Sequence, residues 1–397
     1  MHLKSLIHTW LRRIFSRIRL GVTPSSGGPY GPPAQARWTG TVEPFFILTF
    51  EALKTNTPRR PLAWPAEGFR VPFPVSDPFG LRKAVWPVFK GHPGGKAVGI
   101  GTAFHIDGWG GCLTADHVVD FIRDHLPKGA LRPGLLPPAD WNTKPHPIVL
   151  LGYGVVFGTV VLPPSTVAPL VSAVTPLQKQ IDPMAELRGE SGFEVAADVA
   201  GIGVQISPEV NDAATVAVDL HWQPAIGEPV FALGFPELDF KPLHVEEVAR
   251  YLSEGMFGAY GLITDLHPEG RSKTNPTPVF ETDAHWPSGM SGGPVFNRRG
   301  NVVGVVSRSL EPSDDGGGVG YAAWLSQIPE IVQMAATLNL DNPSVRKGFG
   351  VLRREPWDLK GVFRSQKEAD VFRAKLGPGF EVAKGHHRLG TTDFLET

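Results

Sequence analysis

The chain has 397 residues, a formal net charge of −1 and a single cysteine, Cys112. The balanced charge offers no general field that would attract nucleic acid, and one thiol excludes an intrachain disulfide, which makes a reducing compartment plausible. Glycine (46) and proline (39) are abundant and charged residues make up only 19%, which favours a turn-rich β protein over a helical one. No cysteine or histidine cluster has the spacing of a metal site, so we expect neither a metal nor a cofactor.

Residues 1–20 predict a basic amphipathic helix. Apolar side chains recur at positions 3, 7, 10, 14 and 18, and lysine or arginine occupies positions between them. Such a helix fits a membrane surface, a regulatory protein partner or an organellar transit peptide, and it could equally dock on the body of this protein. We expect a cytoplasmic location, with membrane association and a transit peptide as open alternatives.

Two further segments precede the regular pattern. Residues 21–40 are rich in glycine, proline and serine, a composition typical of a linker. Residues 41–81 mix short apolar runs with many prolines, which indicates an irregular N-terminal extension.

From about residue 82, short apolar strands alternate with turn signals. The predicted strands include AVWPVFKG, AVGIGTAFHID, GCLTADHVV, VAVDLHW, EPVFALGF, GAYGLITDL, PVFETDA, GPVFN, NVVGVVSRS and VGYAAW. Short strands at such regular spacing predict a mostly β protein built as a sandwich or a barrel. The uncharged run IVLLGYGVVFGTVVL is too short and too rich in β-branched residues for a membrane-spanning helix, so we interpret it as core strands.

The C-terminal part of the chain has a different pattern. Residues 325–340 have helical periodicity and predict a terminal helix. Residues 341–397 read as a charged tail or small extension, with a short helix in SQKEADVFRAKL. The pair His386–His387 is expected to be solvated.

The stretch SGMSGGPVF, from Ser288 to Phe296, places three glycines and a proline around Ser291. A serine hydroxyl attacks a carbonyl effectively only when a base removes its proton, and the oxyanion that forms needs backbone N–H donors. Flanking glycines allow the chain to turn so that two N–H groups converge beside the hydroxyl. Ser291 is therefore a candidate nucleophile, although the same pattern also suits an ordinary turn between two strands.

A nucleophilic serine requires a histidine and a carboxylate. His117 lies in CLTADHVVD, where an apolar strand ends, a position that a packed scaffold can hold in place. Asp198 lies in FEVAADVAGIGVQI, and an aspartate within so apolar a run needs a specific partner. Three other histidines fit ordinary core or surface positions: His105, His221 and His267.

Six motifs resemble those of trypsin-like serine proteases: GTAFHI, LTADHVV, ADVAGIGV, GEPVFALGFP, TDAHWPSGMSGGPVF and VVGVVSR. They are most similar to bacterial HtrA-type enzymes, whose motifs run T-x-x-H-V, D-[IL]-A, G-x-x-V-x-A-[IL]-G-x-P and T-D-x(6)-G-N-S-G-G-P. The chain order histidine, aspartate, serine also agrees with that family. The resemblance covers about residues 82–340 and implies two six-stranded antiparallel β-barrels of chymotrypsin type, one over about 82–206 and one over about 214–324.

The resemblance implies a role for each matching residue. His117 corresponds to the general base, Asp198 to the carboxylate that orients it, and Ser291 to the nucleophile. The backbone N–H groups of Gly289 and Ser291 correspond to the oxyanion hole. Ser307 corresponds to a strand residue that lies beside the catalytic aspartate.

The resemblance also implies where a substrate binds. The strand Ser307–Arg308–Ser309 would pair with an extended protein or peptide substrate along a sheet edge. His285 corresponds to the floor of the specificity pocket, with residues 316–321 as the opposite wall. His285 is not the aspartate of an Arg/Lys pocket, so cleavage after basic residues is not implied.

Two other departures from the wider family concern regulation. Met290 stands where digestive zymogens carry an aspartate that pairs with a newly cut N-terminus, so activation by clipping is not expected. HtrA-type enzymes usually carry a C-terminal PDZ domain. Residues 341–397 show no recognisable pattern of such a domain.

Three interpretations remain open at this point. The first is a serine endopeptidase, active alone or switched by a partner or ligand. The second is a binding or regulatory module of the same fold, whose site is inactive or is assembled only in a complex. The third keeps the chemistry but directs it at esters or at the chain itself.

Overall fold

The computed structural model describes residues 72–75, 81–92, 96–108, 110–125, 134–135, 146–150, 167–179, 184, 186–188, 193–204, 215–236, 255–271, 277–311, 318–328, 345–388 and 394–397. The helix predicted for residues 1–20 and the linker predicted for residues 21–40 lie outside these ranges. Of the extension predicted for residues 41–81, only residues 72–75 and 81 are described. Of the predicted terminal helix, the described part contains only a 3-10 turn at Leu325–Gln327. Among the described residues, no helix is long and apolar enough to cross a membrane.

The described elements between residues 73 and 324 are mainly short strands. One helical turn, α1 (Asp116–Val119), follows the fourth strand. In chain order the strands are β1 (Phe73–Pro74), β2 (Val85–His92), β3 (Lys96–His105), β4 (Gly111–Thr114), β5 (Gly134–Leu135), β6 (His146–Leu150), β7 (Val167–Val174), β8 (Leu177–Lys179), β9 (Phe193–Val195), β10 (Ala200–Val204), β11 (Pro229–Gly234), β12 (Phe257–His267), β13 (Val279–Thr282), β14 (Pro294–Phe296), β15 (Val302–Leu310) and β16 (Val319–Trp324).

Six strands form a first antiparallel ring in the order β10, β4, β3, β2, β6 and β7, and β7 closes the ring by pairing with β10. Strand β5 adds to β7, and β8 pairs with β9 as a small separate sheet. Strand β10 shows the local cause of this architecture. Its buried residues Ala200, Ile202 and Val204 alternate with two glycines, the period-two pattern of a strand with one face turned inward.

A second antiparallel ring has the order β12, β11, β14, β15, β16 and β13, and β13 closes it by pairing with β12. Strand β1 adds to β12 from outside the ring. The expectation of a mostly β chain with two six-stranded antiparallel barrels of chymotrypsin type is confirmed.

One apolar core joins the two barrels. Phe231, Phe235 and Phe296 of the second barrel belong to the same buried cluster as Trp86 and Phe104 of the first. Full burial of each large apolar side chain contributes about 1.5–3 kcal/mol. Residues at the junction are therefore held between two packed bodies.

The predicted strand VAVDLHW, residues 216–222, is wrong. The N–H of Val216 donates to the carbonyl of His105 in the first barrel at 2.9 Å, and the N–H of Val302 in the second barrel donates to Ala217 at 2.7 Å. Val218 forms an isolated parallel bridge with Val302. Because this segment bonds to one barrel at its start and to the other immediately afterwards, it crosses the junction and does not join a continuous ladder.

Residues 345–388 and 394–397 contain a separate four-stranded antiparallel sheet that the sequence patterns do not predict. Its strands are β17 (Val345–Arg353), β18 (Asp358–Phe363), β19 (Glu381–Arg388) and β20 (Phe394–Glu396), in the order β18, β17, β19, β20. His387 is fully buried, so the expectation that it is solvated is wrong. The sheet contacts the first barrel through Arg364, whose Nη2 lies 3.3 Å from Oδ2 of the buried Asp107.

The helix predicted within SQKEADVFRAKL is present as α2 (Gln366–Arg373). Ser365 caps it: the Ser365 hydroxyl accepts the N–H of Glu368 at 3.3 Å, and the Glu368 carboxylate accepts the N–H of Ser365 at 3.1 Å. This reciprocal capping box satisfies two backbone donors at the start of the helix. The sequence pattern S-x-x-E was therefore sufficient to locate this element.

Candidate active site

His117 and Asp198 are brought together by the pairing of two strands. His117 lies on α1, directly after β4, and β4 pairs with β10 so that Thr114 lies opposite Ala200. Asp198 stands two residues before β10 begins. The strand pairing thus places the aspartate beside the histidine, although 81 residues separate them in sequence.

Asp198 makes several hydrogen bonds at the edge of the core. His117 Nδ1 lies 2.8 Å from Asp198 Oδ2 and 3.0 Å from Oδ1, and the backbone N–H of His117 donates to Oδ1 at 3.1 Å. The hydroxyl of Ser307 also donates to Oδ2. Burial alone would raise the pKa of Asp198, but the bonds from His117 and Ser307 lower the pKa below its ordinary value. The carboxylate is therefore held ionised.

The environment of His117 raises its pKa. Burial disfavours the charged imidazolium, but the hydrogen bond and the charge of Asp198 outweigh burial, so the pKa lies above its ordinary value of about 6.5. Arg308 opposes this shift, and Asp120 adds to it. The imidazole side chain remains 37% exposed. When Nδ1 donates to Asp198, the other ring nitrogen, Nε2, carries a free lone pair that can accept a proton.

The loop around Ser291 needs its glycines for close packing as well as for its turn. Gly289 and Gly292 adopt left-handed φ values of +92° and +83°, which favour glycine. A Cβ at Gly289 would overlap the carbonyl of Phe235, and a Cβ at Gly292 would overlap the carbonyl of Thr102. The N–H groups of Gly289 and Ser291 make no hydrogen bond within the described part of the chain. Both donors are therefore available to an incoming oxyanion.

The Ser291 hydroxyl does not bond to His117 in this structure. Its Oγ donates to the carbonyl oxygen of Ser307 at 3.3 Å, and no hydrogen bond joins it to the imidazole. The structure thus brings all three predicted residues to one place, with the serine side chain directed toward β15. Proton transfer to His117 would require the hydroxyl to turn away from Ser307.

Thr102 is a residue of this site that the sequence analysis missed. Its N–H donates to the carbonyl of Ser291 at 2.8 Å, and its hydroxyl donates to the carbonyl of Gly289 at 2.8 Å. The same hydroxyl accepts the N–H of Phe235 at 3.0 Å. Thr102 is fully buried and belongs to the first barrel, whereas its three partners belong to the second. These bonds fix the position of the serine loop relative to the barrel that carries His117.

His285 and Ser309 lie together beside β16. Ser309 Oγ lies 3.3 Å from His285 Nδ1, accepts the N–H of Trp286 at 3.1 Å and donates to the carbonyl of Val319 at 3.0 Å. A Cβ at Gly318 would lie 2.6 Å from the Cβ of His285. His285 therefore packs against the described part of the predicted pocket wall, of which residues 316–317 lie outside the described residues.

Arg308 and Met290 have opposite environments. Arg308, between Ser307 and Ser309 on β15, is exposed to solvent. Met290, the residue before Ser291, is fully buried in the apolar core of the second barrel. A thioether at this position carries no charge and offers no partner to the ammonium group of a cut N-terminus.

Sequence comparison assigns the family. The sequence model of the trypsin-like peptidase domain matches residues 101–305, which is just over half of the chain and includes His117, Asp198 and Ser291. The chain belongs to the trypsin-like peptidase family. The predicted resemblance is thereby confirmed at the level of the family. Within the described residues, no group of His, Cys, Asp or Glu side chains is arranged to hold a metal ion in this trypsin-like domain.

Curated relatives of the trypsin-like domain include bacterial HtrA and Deg proteins. The serine protease Do-like HtrA of Lactococcus lactis subsp. lactis (strain IL1403) is 28% identical over 166 residues, which cover 40% of this chain and 37% of that protein. The serine endoprotease DegS of Escherichia coli (strain K12) is 30% identical over 111 residues, which cover 27% of each chain. The chain thus spans about a third of the length of these relatives.

Among solved structures, the protease domain of MamO from Magnetospirillum magneticum, in its apo form, matches with a TM-score of 0.37 and 16% sequence identity, covering 64% of this chain and 97% of that one.

Proposed function

We propose that this trypsin-like domain is a serine endopeptidase that hydrolyses peptide bonds through an acyl-enzyme. The observation that carries the proposal is the contact of His117 Nδ1 with the buried, ionised Asp198 at 2.8 Å. This contact fixes the imidazole so that Nε2 faces away from the carboxylate as a general base. Ser291 is the nucleophile in this proposal, on a loop whose glycines leave two N–H donors unused.

The reaction begins when the Ser291 hydroxyl turns from the Ser307 carbonyl toward His117. His117 Nε2 takes the hydroxyl proton as Oγ forms a bond with the scissile carbonyl carbon. The N–H groups of Gly289 and Ser291 hold the negative oxygen of the tetrahedral intermediate. His117 then gives its proton to the leaving amine as the C–N bond breaks, and Asp198 stabilises the imidazolium while it exists.

Water completes the cycle. His117 removes a proton from a water molecule as the water oxygen attacks the acyl carbon, and then returns that proton to Ser291 Oγ as the bond between Oγ and the acyl carbon breaks. The residues named supply every proton acceptor and donor that these steps need. The substrate is a protein or peptide in extended conformation along Ser307–Ser309. The turn of the Ser291 hydroxyl follows from substrate binding, because a substrate N–H competes for the Ser307 carbonyl.

Cleavage of casein by the full chain tests the proposal. Ser291→Ala is expected to abolish cleavage, since it removes the attacking oxygen. Ser288→Ala is the matched control, because Ser288 is an exposed serine of the same loop and its hydroxyl has no part in the mechanism. Undiminished cleavage by a folded Ser291→Ala variant would show that another residue carries the chemistry.

A further inference from the structure

The open edge of strand β15 determines which substrate residue faces Arg308. Strand β14 pairs with β15 only as far as Val305, and the loop after Ser291 continues this contact to Val306. Residues 308–310 pair with β16 on their other side, and Ser307 lies at a β-bulge between Val306 and Arg308. Their edge toward the active site carries the Ser307 carbonyl, which accepts the Ser291 hydroxyl. Among the described strands none pairs with this edge, so it can accept one more strand.

The proposed function fixes the register of that strand. Its acylated residue presents a carbonyl to Ser291, and the N–H of the same residue lies within reach of the Ser307 carbonyl, 3.3 Å from Ser291 Oγ. In an antiparallel pair, the preceding substrate residue then lies directly opposite Arg308. Residues directly opposite each other project from the same face of the sheet, with Cβ atoms about 5 Å apart. We call this substrate position, which directly precedes the acylated residue, the penultimate residue.

The side chain of Arg308 is exposed to solvent, whereas its two neighbours on β15 are not. Ser307 and Ser309 turn inward, toward Asp198 and His285 respectively. Arg308 stands between these two inward-turned serines, directly after the β-bulge, and its side chain is exposed to solvent. Within the described part of the chain its guanidinium makes no hydrogen bond or ion pair.

Two charged groups outside the catalytic triad act on His117. The Arg308 cation lowers the pKa of His117, and the Asp120 carboxylate raises it by a smaller effect. Arg308 lies on the substrate-pairing strand of the second barrel, whereas Asp120 follows α1 in the first barrel, and the two do not form an ion pair. Among the described residues the guanidinium therefore has no anionic partner, and it lies beside the position of the penultimate side chain.

We infer that Arg308 selects an acidic side chain at the penultimate residue of the substrate, an inference that rests on the proposed function. A glutamate or aspartate there reaches a guanidinium that can donate two parallel hydrogen bonds. A neutral amide side chain of the same shape lacks the charge that attracts the guanidinium, and a lysine side chain is repelled by it. The substrate specificity of this chain is thus determined in part by Arg308 on β15, in addition to the pocket at His285.

Coumarin amides of short peptides test this inference with a fixed register, because only the bond to coumarin gives a signal. Acetyl-Ala-Glu-Ala-coumarin and acetyl-Ala-Gln-Ala-coumarin differ only in charge at the penultimate residue. The wild-type chain is expected to favour the glutamate peptide roughly five-fold in kcat/KM at low ionic strength, with a smaller ratio at high salt. The ratio should fall to about one in Arg308→Gln, and Arg308→Glu should instead favour a lysine peptide.

Because each kcat/KM ratio compares two peptides cleaved by the same variant, a general change in the activity of that variant cancels. Arg299→Gln is the matched control, since Arg299 is an exposed arginine in the hairpin at the far end of β15, and its loss should leave the ratio unchanged. A wild-type ratio of one, or an unchanged ratio in Arg308→Gln, would overturn the inference.

A binding measurement separates this inference from the proposed function. The same peptides are titrated into the Ser291→Ala variant, with and without Arg308→Gln, and Kd is followed by coumarin fluorescence anisotropy. Tighter binding of the glutamate peptide that depends on Arg308 supports the inference even if the wild-type chain cleaves no peptide, in which case the proposed function alone fails. Equal Kd values for the two peptides contradict it.

Discussion

Ser307 contributes two different atoms to the site. Its hydroxyl donates to Asp198, while its backbone carbonyl accepts the hydroxyl of Ser291. The first bond helps to keep the carboxylate ionised, and the second holds the serine in a position where it cannot yet give its proton to His117. A single residue therefore links the Asp198 carboxylate to the resting position of the proposed nucleophile.

The charges around His117 predict the pH dependence of activity. His117 must be neutral to accept a proton, so activity rises as pH increases through its pKa, which lies above the ordinary value of about 6.5. Arg308 lowers this pKa, so Arg308→Gln should move the acid limb of kcat/KM to higher pH. Asp120 raises it, so Asp120→Asn should move the limb to lower pH.

The two variants serve as controls for each other, since each removes one charge of opposite sign near the same ring. The measurement is the pH profile of kcat/KM for a neutral coumarin peptide. If the acid limb moved in the same direction in both variants, this account of the electrostatics would be contradicted.

At the scale of elements, strand β3 sets the distance between the two halves of the site. A Cβ at Gly101 would lie 2.6 Å from Cγ2 of Val118 on α1 and 2.7 Å from the carbonyl of Ser291. The strand is therefore packed directly between the turn that carries His117 and the loop that carries the serine. Thr102, the next residue, ties that loop down with its N–H and its hydroxyl.

The Thr102 hydroxyl can be tested with a nearly isosteric change. Thr102→Val leaves the N–H of Phe235 and the carbonyl of Gly289 without this partner in a buried site. We expect a loss of about 1–3 kcal/mol in the free energy of unfolding, because buried polar groups without partners are costly. Activity should fall roughly ten-fold, because misplacement of the catalytic groups by a fraction of an ångström slows the reaction.

Thr102→Ser keeps the hydroxyl and should restore both properties to near wild type. Urea unfolding and kcat/KM are measured on all three proteins. A Thr102→Val variant as stable and as active as wild type would show that the hydroxyl does not position the loop.

At the scale of the whole molecule, the sequence predicts the double barrel correctly, and the three residues of its predicted site lie close together in the structure. His117, Asp198 and Ser291 can be found from short motifs because each has characteristic neighbours in sequence. His117 follows a strand end, Asp198 lies in an apolar run and Ser291 is flanked by glycines. Thr102 has no such signal. It is one hydroxyl residue in a strand, and its partners Gly289 and Phe235 lie 187 and 133 residues away in sequence.

Tertiary contacts also account for the elements that the sequence analysis missed. Residues 216–222 have the apolar content of a strand, but the start of the segment bonds to both barrels and crosses between them. The C-terminal sheet was missed because glycines and charges interrupt its strands, as in VRKGFGVLR and EVAKGHHR. His387 is buried only because β19 lies between β17 and β20. Its surroundings depend on the assembled sheet and cannot be read from the tail sequence.

The central claim is that Ser291 is a nucleophile activated by His117. The most direct test is to react the full chain with a fluorophosphonate probe and to map the labelled residue by mass spectrometry. We predict a single label on Ser291, absent in Ser291→Ala and strongly slowed in His117→Ala, with the fold of each variant verified by circular dichroism. A folded wild-type chain that takes up no label, or that carries it on another serine, would contradict the claim.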